Sequence, residues 1–137
     1  MMSDTYDFSF VMEKKDPAVM IQESEQQILA DPDNGVAHLH LASWLHTSGK
    51  VETALPEYQK SVDLLERASA EKLDNPLLLA IALYWMGQAF SEAGNKTEAI
   101  NSWKSVLGLY ALSSEEQLKN NSAYKRAKEN LARMDIA

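Results

Sequence analysis

Three histidines, His38, His40 and His46, fall close together in the chain, and clustered imidazoles could ligate a metal or relay a proton. Their spacing argues against both. On a helix, residues three or four apart share a face; His38 and His40 are two apart and point to different sides, and His40 and His46 are six apart. They read as surface or groove-lining imidazoles. The carboxylates are no better arranged for chemistry. Glu23 and Glu25 look like a solvated face, and no other acid sits in a motif suited to general acid–base work. Gly49 and Gly94 stand alone as turn glycines rather than in a phosphate-cradling loop. The chain contains no cysteine, which removes thiolate metal sites, thiol nucleophiles and disulfides together. The expectation is a protein with no catalytic residues, no metal and no cofactor.

What is left is binding, and composition narrows it. The chain has 137 residues, 45% of them hydrophobic and 24% charged, enough for one compact domain with a real core. A formal charge of −7 argues against nucleic acid as partner, since that requires clustered Lys and Arg. The longest apolar run, Pro76 to Gly87, is shorter than the ~20 residues of a membrane span. Met1 to Asp7 lacks the basic and apolar regions of a signal peptide. A soluble, cytoplasmic protein is expected. The acidity is uneven: residues 1–33 carry a net −6, residues 34–114 carry −2 and residues 115–137 carry +1.

The elements that must position any binding residues are helical in period. The one strand-like alternation is Tyr6-Asp7-Phe8-Ser9-Phe10, which is expected to belong to a loosely ordered N-terminal tail, 1–15, and which could anchor in a groove of its own or a neighbouring chain. Asp16-Pro17 starts a helix, with Asp as N-cap and Pro in the first turn, running to about Ala30. A second helix spans about Gly35 to Ser48 and ends at Gly49. A third begins near Thr53, with Pro56 in its first turn, and continues to about Leu73. Asp74-Asn75-Pro76 opens a fourth, closed by Gly94, and a fifth runs from about Lys96 to Ala111. Ser113-Ser114-Glu115-Glu116-Gln117 is a capping box for a last helix. In that helix Tyr124, Ala127, Leu131 and Met134 make one apolar stripe, opposite Lys125, Arg126, Lys128, Glu129 and Arg133.

Sliding the chain against itself by 45 residues superposes two helix pairs. Ala37/Ala82, Gly49/Gly94, Ala54/Ala99 and Leu64/Leu109 are identical. Like faces like elsewhere: Leu41-Ala42 and Met86-Gly87, Leu45 and Phe90, Leu55 and Ile100, Tyr58 and Trp103, Val62 and Leu107. The series Leu41-Ala42, Leu45, Gly49, Ala54, Tyr58 resembles a tetratricopeptide repeat, as does Met86-Gly87, Phe90, Gly94, Ala99, Trp103. Asp31-Pro32-Asp33-Asn34 is similar to the phrase that closes a preceding repeat. The resemblance implies an all-α fold: a short α-solenoid of antiparallel helix pairs spanning 17–137. It would comprise a half repeat at 17–34, repeats at about 35–68 and 80–113, and a capping helix at about 114–134. Two departures stand out. Trp44 occupies the place of Ala89, where the family usually has a small residue, so the hairpin is splayed or Trp44 covers an edge. The period exceeds the usual ~34 residues, with the surplus expected in the third helix and in an early start to the fourth.

In such arrays the first helix of each pair lines a concave groove. Carried over residue by residue, the groove would show Val36, Leu39, His40, Ser43, His46 and Thr47, then Ile81, Tyr84, Trp85, Gln88, Ser91 and Glu92. Among these only Glu92 is charged, so a clamp for a terminal carboxylate, built from Lys, Arg and Asn, is excluded. The resemblance implies a non-enzymatic protein-binding module for a peptide or helix with apolar anchors. The alternatives are self-association through the oppositely charged ends of the solenoid, giving a homo-oligomer, and a chaperone-like holder of one client subunit.

Overall fold

The structure is a computed structural model that describes residues 16–72 and 76–135. Seven helices follow one another there: α1 (Pro17–Ala30), α2 (Gly35–Thr47), α3 (Val51–Lys72), α4 (Leu77–Glu92), α5 (Lys96–Leu109), α6 (Glu115–Leu118) and α7 (Ser122–Asp135). No strand occurs among the described residues. The Tyr6–Phe10 alternation and the Asp74-Asn75 start signal lie outside them.

Each of the first four helices packs on the next, and α7 packs on α5. In addition α2 touches α4, and α4 touches α7. The connections within the first three are short, so neighbours run antiparallel. Helices α2, α4 and α7 therefore form one layer, and α1, α3 and α5 the other. This is a short α-solenoid of helix hairpins, tetratricopeptide-like in plan. The closing helix α7 caps it from the inner layer, where it repeats the placement of α4: α4 rests on α3 and touches α2, as α7 rests on α5 and touches α4.

Turn chemistry sets the hairpins. Gly49 and Gly94 have φ of 85° and 87°, the left-handed region that glycine enters freely. Around each, two backbone bonds close the helix end in the same way. Lys50 N–H donates to Leu45 O at 2.9 Å and Gly49 N–H to His46 O at 3.0 Å; Asn95 N–H donates to Phe90 O at 2.8 Å and Gly94 N–H to Ser91 O at 3.1 Å. Asn side chains cap helix starts at Asn34, Asn95 and Asn121. The Ser114–Gln117 capping box forms, but the helix it opens stops at Leu118 and α7 begins separately behind Asn121. Helix α3 starts at Val51, before the expected Thr53. Pro56 consequently lies inside the helix rather than in its first turn, where it is exposed and leaves the Glu52 carbonyl without its intrahelical donor.

The core runs through both hairpins. Leu41, Ala42, Leu45, Ala54, Tyr58 and Val62 share one apolar cluster with Met86, Ala89, Ala99, Trp103 and Val106. The tightest point is Gly87. A Cβ there would stand 2.4 Å from Trp103 Nε1, and that N–H donates to the Tyr84 carbonyl at 3.2 Å. Trp44, which departs from the small residue at Ala89, is itself buried, at 7% exposure. The 22 residues of α3 compare with 14 in α5, and the 16 of α4 with 13 in α2. Those two excesses account for the long period.

The contact at Gly87 makes a paired prediction. Gly87→Ala should lower the unfolding free energy by about 1–3 kcal/mol, because Trp103 must move and its hydrogen bond with it. Gly108→Ala, in a helix with nothing within 4 Å of the added carbon, should instead raise it by up to ~1 kcal/mol. Urea unfolding of both variants checks the contrast.

Candidate functional site

The candidate face is the open side of the inner layer, α2, α4 and α7. Two equivalent pairs, Leu39-His40 and Tyr84-Trp85, show how each helix divides. Successive residues lie ~100° apart around a helix. In both pairs the first residue turns into the core and the second out: Leu39 is 6% and Tyr84 7% exposed, whereas His40 is exposed and Trp85 is 37% exposed. Leu39 and Tyr84 therefore serve the apolar cluster, and His40 and Trp85 hold the face. Val36, Ser43, His46, Ile81 and Gln88 are half-buried, consistent with positions at the floor of a shallow trough. Thr47, Ser91 and Glu92 are exposed at its end.

Trp85 is held rather than loose. The Tyr84 ring meets it edge-on at 5.2 Å between centroids, and the His46 ring does so at 6.3 Å. On the same stripe of α4, Leu78 is 45% exposed and Ile81 half-buried. Leu78, Ile81 and Trp85, at i, i+3 and i+7, make a short apolar ridge.

A polar chain joins the hairpins beneath this ridge. His46 Nε2 lies 3.0 Å from Glu92 Oε1, and His46 Nδ1 lies 3.0 Å from the Tyr58 hydroxyl. A carboxylate only accepts, so in the neutral ring Nε2 carries the hydrogen and Tyr58 donates to Nδ1. Ser43 in turn bonds the Tyr58 hydroxyl. Burial pushes the Tyr58 phenol far above its ordinary range; the Ser43 bond works the other way, and the Glu92 charge adds to the rise. Tyr58 is thus a fixed donor. His40 is exposed as a residue but partly covered at its ring, and that partial burial pushes its imidazole below the usual histidine range.

His38 departs from the expected surface or groove-lining role. It is buried at 6% exposure, with Nδ1 2.8 Å from Glu57 Oε1 and Nε2 3.0 Å from the Pro32 carbonyl. Both partners are acceptors, so each is satisfied only by a ring nitrogen that donates. His38 ties the α1–α2 loop to α3. In the second hairpin the equivalent position is an apolar residue, Leu83.

On the far side of α4, Asn130 Nδ2 donates to Gln88 Oε1 at 2.9 Å, and the Arg133 guanidinium donates to Asn130 Oδ1. This bond sets α7 in register with α4. One turn back from each partner stand Trp85 and Arg126, so the row Arg126–Asn130–Arg133 runs beside the row Ile81–Trp85–Gln88. Arg126 and Arg133 are exposed. The inner layer therefore grades from neutral on α2, through apolar on α4, to basic on α7. Treating α7 as a cap alone hides this wall; the Gln88–Asn130 bond spans 42 residues and leaves no trace in local spacing.

Among the described residues no three His, Cys, Asp or Glu side chains converge on a point that could hold a metal ion. No protein-family model matches the chain, and no curated protein matches it. Among solved structures, one titled "Crystal structure of MamA" aligns with 97% of this chain and 99% of its own, at 17% identity and a TM-score of 0.34.

Two predictions follow from the polar groups. Tyr58→Phe should cost about 1–3 kcal/mol in urea unfolding, since it leaves a largely buried His46 nitrogen without its donor. His40 gives a pH dependence. Its folded pKa is depressed, so the unfolded chain takes the proton first as pH falls through the ordinary value of 6.5. The fold then loses stability below that pH and none above it. Comparing wild type with His40→Gln, the stability difference should shift against wild type as pH falls from about 7 to about 5.

Proposed function

We propose that this chain is a non-enzymatic protein–protein interaction module, a divergent tetratricopeptide-repeat protein that works in the cytoplasm without a cofactor. It comprises a half repeat at 17–34, repeats at about 35–68 and 80–113, and a cap, and its inner layer takes a peptide or helix with one or two apolar anchors. The observation that carries this reading is Trp85. A tryptophan held edge-on by two rings and still 37% exposed offers a large apolar surface at little entropic cost, the quality of residues that dominate interface energies. Val36, His40, Ser43, His46, Ile81 and Gln88 supply the surrounding trough. Leu39 and Tyr84 support it from within. Charge also favours a protein partner over nucleic acid, and no described helix is long and apolar enough to cross a membrane.

The test replaces the exposed ridge without touching the core. Trp85→Ser with Leu78→Ser, both exposed and outside the core cluster, should leave the thermal midpoint within a few degrees of wild type. Used as bait in a native lysate, the variant should lose proteins that wild type retains, with affinity falling by about 2 kcal/mol or more. Retention of the same proteins by a folded variant would refute the reading.

A further inference from the structure

We infer that this chain joins end to end with copies of itself, α7 of one copy taking α1 of the next as the second helix of a hairpin. The contact lies at the ends of the described array, away from the inner face. Repeat phase and charge support it.

Phase shows what each end is shaped to receive. The step of 45 residues continues into α7: Ala37, Ala82 and Ala127 correspond, as do Leu41-Ala42, Met86-Gly87 and Leu131-Ala132. The three alanines are buried, and so are Leu41, Met86 and Leu131. Helix α7 is therefore a third first-of-pair helix, resting on α5 and α4. The flank that α2 and α4 turn to their own partners is covered in them and open in α7. Gly35, His38 and Ala42 are buried, as are Ala80, Leu83 and Gly87; their counterparts Lys125, Lys128 and Ala132 are exposed. Helix α1 is the converse, a second-of-pair helix. It and α3 begin 34 residues apart, at Pro17 and Val51, the ordinary length of such a repeat. In that register Ser24 takes the buried place of Tyr58. Glu57, Ser61 and Leu64 face α2, but their counterparts Glu23, Gln27 and Ala30 are exposed.

Superposing an α7–α1 pair on the α2–α3 hairpin matches the charges. Lys128 holds the place of His38 and Glu23 that of Glu57, whose side chains lie 2.8 Å apart. Lys128 of one copy therefore meets Glu23 of the next. Lys125 holds the place of Gly35, beside which Leu64 and Leu65 stand; their counterparts are Ala30 and Asp31. None of these four charged residues has an ion-pair partner among the described residues. Lys125 rests on the Lys119 carbonyl, and Lys128 over the Tyr124 ring. The contact is head to tail, so copies add to an open row instead of closing as a pair. One helix on another is a small interface, which makes the association weak and salt-sensitive.

Sedimentation equilibrium of the full chain tests this. At about 20 mM salt the weight-average mass should rise past two copies as protein increases to about 500 μM, and about 500 mM salt should return it towards one copy. Lys128→Glu should weaken association about tenfold, and Glu23→Lys should do the same. Both substitutions in one chain should restore it, as should mixing the two single variants. A wild type that stays one copy at every concentration would overturn the inference; that result is expected if residues 1–15 of the same chain cover α1. A plateau at two copies also overturns it, since a symmetric pair closes. So does a double variant that circular dichroism shows to be folded but that stays dissociated.

Discussion

The distance between α4 and α5 is set by one contact, the Trp103 indole lying against a bare Cα at Gly87. No side chain fits between them, and the indole N–H is spent on the Tyr84 carbonyl. That bond grips the backbone one residue before Trp85. The outer face of α4 is therefore oriented from behind, by the ring that fills its inner face. The first hairpin reaches the same end with a different pair. Ala42 replaces glycine and Tyr58 replaces tryptophan, a smaller ring against a larger neighbour, as close packing requires. Because Tyr58 carries its polar atom at the tip, its bond goes sideways to His46 rather than into the helix backbone.

Much of this frame was legible in the residues. Gly49 and Gly94 announce identical helix endings, and the run from Ser113 to Gln117 announces a cap, because each of these depends only on atoms a few residues away. Pro56 misled for a related reason. Proline is well placed in a first turn, but Val51 and Glu52 extend the helix ahead of it, so it stands in the interior at the cost of the bond to the Glu52 carbonyl. The surplus of the long period was likewise readable, since whole turns added to α3 and α4 leave the apolar phase almost unchanged.

The face itself was half legible. Position within a repeat assigns Val36, His40, Ser43, Ile81, Trp85 and Gln88 to one side. It does not say that Leu39 and Tyr84 turn inwards, because a residue on the boundary between faces is assigned by how closely the neighbouring helix approaches. Nor could spacing show that His38 is buried against Glu57, or that α7 lends Arg126 and Arg133 to the inner layer. Those are facts about pairs far apart in the chain, and only packing reveals them.

The bonds linking Ser43, Tyr58, His46 and Glu92 also bear on ancestry. Tyr58 and His46 meet in a largely enclosed place and complete each other's hydrogen bonding, so replacing either one strands the other. Replacing neighbours together, for instance with a phenylalanine and an apolar residue in place of Tyr58 and His46, removes both demands at once. Substitutions at this junction should accordingly be inherited in sets rather than one by one. Tyr58 and His46 should then count as a single evolutionary character, although they belong to different helices of the hairpin.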